Sequence, residues 1–204
     1  MPITTLFFDL DDTLYSHKNG LWLAIRNRMS DYMAERLGMP PEIIPELRRR
    51  YFTTYGTTLR GLQKHHQVDA NDYLAYVHDL PLENYIQPEP GLRTFLMELP
   101  QQRFIFTNAD ADHAMRVLKI LEIQDCFDGI IDVRSLEFVC KPEQEAFERA
   151  LALAGNPPVQ SCAMLDDSAV NLAAAKKLGM TTILIRRDPD SSFEADYAVS
   201  AIME

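Results

Sequence analysis

Short apolar runs and amphipathic stretches alternate along most of the chain. Residues 4–9 (TTLFFD) form an apolar run that ends in a carboxylate, which is the pattern of a short buried strand. Similar runs predict strands at 103–107, 129–133, 161–165 and 181–185, with a possible edge strand near 196–199. Stretches with helical spacing lie between them, at 91–99, 110–122, 142–154 and 169–178. Strands that alternate with helices predict an α/β fold with a mostly parallel, Rossmann-like sheet covered by helices on both faces.

The segment between the first two predicted strands follows a different pattern. From Gly20 to Leu37, apolar residues recur three or four positions apart, which predicts a helix whose buried stripe includes Trp22. Residues 42–64 and 70–79 are also expected to be helical. The expected organisation is therefore an α/β core domain from residues 1–15 and 88–204, with an all-helical insertion at 16–87.

The distribution of charge supports this division. The 204 residues carry a formal net charge of −10, yet residues 16–87 hold 9 Lys and Arg against 8 Asp and Glu. The acidic excess thus lies outside the insertion. A strongly acidic chain favours neither a nucleic-acid polymer nor an anionic membrane surface as its main partner.

Composition and cysteine usage set the expected class and compartment. With 47% hydrophobic and 25% charged residues, the chain resembles an ordinary globular protein. No apolar run is long enough for a transmembrane helix, and the N-terminus lacks the features of a signal peptide. The three cysteines (Cys126, Cys140, Cys162) lack metal-ligand spacing, so we expect buried, reduced thiols and a cytoplasmic location.

Polar residues follow the predicted strands at the points where ligands bind in open parallel sheets. Asp9 and Asp11 follow the first strand, Thr107 and Asn108 the second, and Asp166 and Asp167 the fourth, while Lys141 precedes a helix after the third. Several carboxylates gathered at one edge need a cation to hold them together. Ligation by oxygen alone points to Mg²⁺ rather than to zinc.

These residues stand in motifs that resemble those of the haloacid dehalogenase-like (HAD) superfamily. The segment FFDLDDTLY resembles the DxDxT motif, and FTNAD, Lys141-Pro142 and LDDSAVN resemble the three motifs that follow. Four motifs in order, each at a predicted strand end or helix start, cover almost the whole chain. By this resemblance, the helical insertion corresponds to the cap of that superfamily.

The resemblance implies a role for each catalytic residue. Asp9 would attack phosphorus and form an aspartyl-phosphate. Asp11 would protonate the leaving alcohol and then act as base towards water. Lys141 would neutralise charge on the nucleophile and the phosphoryl group.

The same resemblance implies the substrate and metal contacts. Thr107 and the backbone amide of Asn108 would hold phosphate oxygens. Asp9, the backbone carbonyl of Asp11, and Asp167 would bind Mg²⁺, while Asp166 and Asn171 would be ligands of the metal or of its waters. Haloacid dehalogenases lack the second aspartate of the first motif, since a halide needs no proton, so Asp11 favours phosphate-ester hydrolysis.

A finer resemblance points to the pyrimidine 5′-nucleotidase branch. It is carried by YGTTLRGL (55–62), by the segments around 68–70 and 80–82, and by FDGIIDV and VCKP. The implied substrate is a pyrimidine nucleoside monophosphate, with Arg60 as a cap residue that binds the anion. Two alternatives are a phosphatase for another small ester, such as phosphoglycolate or a sugar phosphate, and a HAD-fold protein that binds without turnover.

Several residues have a plain structural alternative. Lys141 could be a surface lysine, and Asp166, Asp167 and Ser168 could form only a helix cap. His113 could face the mouth of the site or the helix surface. His65 and His66 point in different directions on a helix, which disfavours a shared metal. Neither the motifs nor the composition distinguishes a monomer from a small homo-oligomer.

Overall fold

The computed structural model describes residues 1–185 and 194–203 of the chain. Contacts within it define two compact units, residues 1–17 with 86–204, and residues 18–85. The first, here called the core unit, contains the sheet and its helices, and the second, the helical unit, contains helices without a strand among its described residues. No helix in the described part has both the length and the apolarity needed to cross a bilayer.

The core unit contains six strands and four α-helices within its described residues. Its strands are β1 Thr5–Phe8, β2 Gln102–Phe106, β3 Gly129–Ile131, β4 Cys162–Asp166, β5 Thr181–Ile185 and β6 Tyr197–Val199. The helical unit holds α1 Leu21–Glu35, α2 Ile44–Tyr55, α3 Thr58–His66 and α4 Ala70–His78. The core unit holds α5 Leu92–Glu98, α6 Ala111–Ile120, α7 Gln144–Leu153 and α8 Ala169–Leu178.

The sheet places β1 between the second and fourth strands. Its order is β3-β2-β1-β4-β5-β6, and every neighbouring pair is parallel. Phe8 lies beside Ile105 of β2 and beside Leu165 of β4, so three strands end at one level. The chain runs outward to one side of β1 and then to the other, which creates the switch point where open α/β sheets bind ligands. The predicted α/β fold is confirmed.

The centre of the sheet is buried on both faces, as the apolar β1 predicts. Phe7 stacks against Phe104 with ring centroids 5.9 Å apart, and Phe8 meets Phe127 edge-to-face at 5.6 Å. Both phenylalanines of β1 have no exposed surface. The strand that carries the first motif is therefore held by its neighbours in the sheet and by packing above and below. The three cysteines are free and buried, as the sequence predicted.

Inside the helical unit, α2 and α3 approach closely at Gly61. A Cβ on this residue would lie 2.2 Å from Cγ of Tyr51, a buried side chain. Only glycine fits this approach without displacing the tyrosine ring.

The expected burial of Trp22 is wrong. Its side chain is 38% exposed, whereas Leu21, Ile25, Tyr32 and Met33 form the buried face of α1. The buried stripe begins one residue earlier than the apolar spacing suggested, and one residue corresponds to a rotation of about 100° around a helix.

Candidate active site

The carboxyl ends of β1, β2 and β4 bring the predicted core residues to one edge of the sheet. Asp9 directly follows β1, and its backbone N–H donates to the carbonyl of Leu165 at 2.9 Å. Thr107 directly follows β2, and Asp166 ends β4. Because adjacent parallel strands end at the same level, residues distant in sequence become neighbours here.

Lys141 joins two of these strand ends. Its Nζ lies 2.7 Å from Oδ1 of Asp9 and 2.9 Å from Oδ2 of Asp166. The side chain is 1% exposed, so its charge is buried, and both acids supply the countercharge that burial requires. The alternative of a surface lysine is excluded. Burial alone would lower the pKa of Lys141, but the charges and hydrogen bonds of Asp166 and Asp9 outweigh it and raise the pKa.

The environment of Asp9 makes its charge costly. Burial raises the pKa of this carboxyl well above its ordinary value, and the charges of Asp166 and Asp167 add to the effect. Lys141 opposes the rise without cancelling it. A further cation beside these acids would therefore stabilise the ionised form of Asp9.

The turn after β1 fixes the other oxygen of Asp9. Thr13 Oγ1 donates to Asp9 Oδ2 at 3.1 Å, and backbone bonds from Thr13 and Leu14 to the carbonyl of Leu10 close the turn. Both carboxylate oxygens of Asp9 thus have a hydrogen-bonding partner. Thr13 is the threonine of the DxDxT motif, yet this bond to Asp9 was not predicted from the sequence.

Asp166 is held by the start of α8 as well as by Lys141. Asn171 Nδ2 lies 3.2 Å from Oδ1 and 3.0 Å from Oδ2 of Asp166, and the backbone N–H of Ser168 donates to Oδ1 at 2.8 Å. Ser168 also caps the helix, since its Oγ accepts from the Asn171 N–H. The helix-cap interpretation is therefore correct for Ser168, whereas Asp166 contacts the buried lysine.

Three carboxylates could share a metal ion. Ligand oxygens of Asp9, Asp166 and Asp167 all lie within 4.8 Å of one another, and this is the one such group of three among residues 1–185 and 194–203. The donor set consists of oxygen alone, which fits a hard cation such as Mg²⁺. Asp166 is fully buried, whereas Asp167 is exposed.

Asn108 contacts the backbone of Lys141 with its side chain. Its Oδ1 accepts from the Lys141 N–H at 2.9 Å, and its Nδ2 donates to the Lys141 carbonyl at 3.0 Å. This two-point contact joins the end of β2 to the residue that carries the buried ammonium. The buried Thr107 accepts at Oγ1 from the Ala109 N–H at 3.0 Å, which shapes the turn beneath it.

Two side chains meet Asp11 at one oxygen. The Tyr15 hydroxyl donates to Asp11 Oδ1 at 2.6 Å, and His113 Nε2 lies 2.9 Å from the same atom. His113 is 1% exposed and points inward from α6, so the helix-surface alternative is excluded. Burial and the nearby Asp11 raise the pKa of Tyr15 well above its ordinary value, which keeps the phenol protonated.

The remaining predicted residues lie in the helical unit. Arg60 is half-buried on α3, and its backbone N–H donates to Oγ1 of Thr57, the cap of that helix. His65 and His66 each contact a tyrosine hydroxyl, His65 that of Tyr55 at 2.7 Å and His66 that of Tyr51 at 2.9 Å. A contact between Arg60 and substrate stays a prediction.

Comparison with known proteins points to one enzyme family. The family model for haloacid dehalogenase-like hydrolases matches residues 3–179. The chain is 31% identical over 208 residues to Phosphate metabolism protein 8 of Saccharomyces cerevisiae, a match that covers 95% of this chain and 64% of that protein. It therefore spans slightly less than two thirds of this relative's length.

Two further proteins extend the comparison. The glyceraldehyde 3-phosphate phosphatase of Pyrococcus furiosus is 23% identical over 208 residues, covering 96% of this chain and 85% of that protein. A HAD phosphatase from Thermococcus onnurineus has a solved structure with a TM-score of 0.66, at 22% identity and with 98% and 94% of the two chains covered. The structural match shows a shared fold.

Proposed function

We propose that this chain, which belongs to the haloacid dehalogenase-like hydrolases, hydrolyses phosphomonoesters through an aspartyl-phosphate in the presence of magnesium. The observation that carries this proposal is the arrangement of Asp9, Lys141 and Asp11. A buried carboxylate is held by a buried ammonium, and a second carboxyl group follows two residues later. Asp9 and Asp11 thus provide a nucleophile and a proton donor at the end of one strand, β1.

Asp9 is the proposed nucleophile. Lys141 and Thr13 each bond one of its oxygens, so the carboxylate is oriented before substrate arrives. Phosphoryl transfer depends mainly on such positioning and on charge neutralisation, rather than on a strongly basic nucleophile.

Asp11 is the proposed general acid and base. It would donate a proton to the ester oxygen as the P–O bond breaks, and later remove one from the attacking water. This requirement separates phosphate esters from haloacids, because a halide leaves without a proton. The second aspartate therefore supports the phosphatase alternative within the family.

Three groups would bind the phosphoryl oxygens. Thr107 and the backbone amide of Asn108 lie at the end of β2, next to the strand of Asp9. Lys141 supplies the positive charge, and the side chain of Asn108 fixes the backbone of that lysine. These hydrogen-bond donors would thus already be in position to stabilise the negative charge that develops on the phosphoryl oxygens.

Magnesium, when bound, would neutralise the charge of the phosphoryl oxygens and of the clustered carboxylates. The residues proposed to hold it are Asp9, Asp167 and the backbone carbonyl of Asp11. Each oxygen of Asp166 already accepts two hydrogen bonds, from Asn171 and either the Ser168 N–H or Lys141, whereas each oxygen of Asp9 accepts one. We therefore assign direct ligation to the exposed Asp167, and to Asp166 the role of orienting Lys141 and the waters of the metal.

For the leaving group, the proposed substrate is a nucleoside 5′-monophosphate, with pyrimidines preferred. This substrate preference rests on the resemblance of residues 55–62 and the segments after them to the pyrimidine 5′-nucleotidase branch. The helical unit would then act as the cap, and Arg60 would bind the anion. A small phosphorylated metabolite is the second candidate, because the relative from Pyrococcus furiosus is a glyceraldehyde 3-phosphate phosphatase.

A phosphate-release assay on a panel of phosphomonoesters tests both levels of the proposal. The panel contains UMP, CMP, AMP, glyceraldehyde 3-phosphate, phosphoglycolate and sugar phosphates, each with magnesium and with chelator. We expect turnover to require magnesium and UMP or CMP to lead in kcat/KM. If a triose or sugar phosphate leads instead, the nucleotidase assignment is wrong and the catalytic assignment stands.

The Asp9→Asn variant tests the nucleophile. An amide cannot form the acyl phosphate, so we expect the loss of at least about 10³-fold in kcat on the best substrate. The Asp125→Asn variant, at an exposed carboxylate that pairs with Arg93, serves as a matched control and should retain activity. Full activity of Asp9→Asn would refute the mechanism.

A further inference from the structure

Asp11 is held by a pair of side chains to which the family resemblance assigned no role. Tyr15 and His113 both contact Oδ1 of this carboxyl, at 2.6 and 2.9 Å. Tyr15 is also buried, and the two side chains come from separate parts of the core unit, the turn after β1 and helix α6. Hydrophobic packing alone does not require both polar groups to contact the same oxygen atom.

The tyrosine reaches Asp11 because of the local turn. Leu14 N–H donates to the Leu10 carbonyl at 3.0 Å, a helix-like bond over four residues. Side chains four apart share a face in such a turn, so Tyr15 lies over Asp11 just as Thr13 lies over Asp9. One short turn thus orients both carboxyl groups.

The histidine is placed by the first turn of α6. Asp110 caps this helix by accepting from the His113 N–H at 2.8 Å. The Ala111 N–H donates to Oδ2 of Asp132 at 2.9 Å, which ties the helix start to the segment after β3. Asp110 is itself buried. The imidazole is therefore presented from a fixed helix end and not from a mobile loop.

The shared atom has a chemical consequence. A carboxyl oxygen has two lone pairs, and Oδ1 uses both when the Tyr15 phenol and the Nε2–H tautomer of His113 donate to it. When Asp11 gains a proton, Oδ1 can keep both of these hydrogen bonds only if the proton binds to Oδ2. We infer that Tyr15 and the Nε2–H tautomer of His113 are positioning residues, which hold Asp11 by Oδ1 and assign proton delivery to Oδ2.

The inference rests on the proposed function and refines its proton steps. Asp9 attacks phosphorus, the bond from phosphorus to the ester oxygen breaks, and that oxygen keeps the electron pair and takes the proton from Oδ2 of Asp11. The resulting carboxylate then removes a proton from water as the water oxygen attacks the aspartyl-phosphate. The P–O bond to Asp9 breaks, Asp9 regains its electron pair, and Asp11 is protonated again at Oδ2.

Leaving-group dependence distinguishes positioning of an acid from general structural support. The compounds 4-nitrophenyl phosphate and 4-nitrobenzyl phosphate differ by one methylene, but only the benzyl alkoxide needs a proton to leave. The ratio kcat/KM reports phosphoryl transfer to Asp9, before water attacks. Damage to proton delivery should therefore lower kcat/KM for the benzyl ester selectively.

Three variants test the inference. Tyr15→Phe keeps the ring, His113→Leu removes the donor, and His113→Gln retains an N–H at similar reach. We expect Tyr15→Phe and His113→Leu to lower kcat/KM for the benzyl ester by about 10-fold or more and for the aryl ester by less than about threefold. KM should change little, and His113→Gln should recover most of the loss.

Control variants distinguish the positioning role of Tyr15 and His113 from the proposed hydrolase function. Asp11→Asn should give the same selectivity with a larger loss, and Tyr197→Phe, at a tyrosine 63% exposed on β6, should change neither ester. Equal losses on both esters, or a loss on neither, would overturn the positioning role. Failure of the unmodified protein to release phosphate from any ester of the panel would instead refute the hydrolase function itself.

Discussion

Lys141→Met removes the cation between two buried carboxylates while keeping most of the side-chain volume. At contact distances of 2.7 and 2.9 Å and an effective dielectric constant of about 20, each attraction is worth roughly 6 kcal/mol before desolvation is subtracted. Loss of one partner from a buried ionic group typically destabilises a protein by about 3–5 kcal/mol, because the charges that remain are uncompensated. We expect a loss in this range for the metal-free protein.

Urea unfolding with a chelator and then with magnesium measures this effect. Magnesium should recover part of the lost stability, since a cation bound only by the folded state stabilises it by about 2.7 kcal/mol at 100 times its dissociation constant. Phosphatase activity should stay low in both conditions, because the metal does not replace the ammonium beside Asp9.

A double-mutant cycle shows whether repulsion is the cause. Asp166→Asn should cost less in the Lys141→Met background than alone, because it removes one of the two facing charges. Lys176→Met, at a partly exposed lysine paired with Asp196, provides the control and should cost less than about 1 kcal/mol. Unchanged stability of Lys141→Met in chelator, or strictly additive effects in the cycle, would refute the electrostatic reasoning.

Two further changes have defined outcomes. Asn171→Ala removes the amide that orients Asp166, so the magnesium concentration for half-maximal activity should rise about 10- to 100-fold, as a magnesium titration of activity would reveal. An unchanged titration would show that Asn171 does not influence the metal. Gly61→Ala places a methyl group against Tyr51 and should destabilise the protein by about 1–3 kcal/mol in urea unfolding, and a neutral result would contradict the close approach of the two helices.

The positions of Asp9, Thr107 and Asp166 could be predicted from sequence because each ends a short apolar run. The ends of parallel strands share one edge, so identifying the strands locates the residues that follow them. Lys141 could be predicted for a different reason, because its motif lies in the expected order between the second and fourth motifs.

The contacts of Asn108, His113 and Trp22 could not be read from the chain. The side chain of Asn108 bonds a backbone 33 residues away, and His113 meets a carboxyl 102 residues away. Such contacts depend on how a helix is rotated and seated, which periodicity defines only to within about one residue. The error at Trp22 has the same origin, because one step along α1 exchanges a buried position for an exposed one.

The order of the strands affects how the protein is made. Synthesis produces β1 well before either of its neighbours in the sheet, which begin at residues 102 and 162. Most of the chain, including every residue of the helical unit, must therefore emerge before TLFF can pair on both edges. Asp9, the proposed nucleophile, leaves the ribosome before Lys141 and Asp166 and reaches its final surroundings only after β4 has been made. A ribosome paused before β4 would carry Asp9 and Lys141 but could not yet assemble the site that joins them.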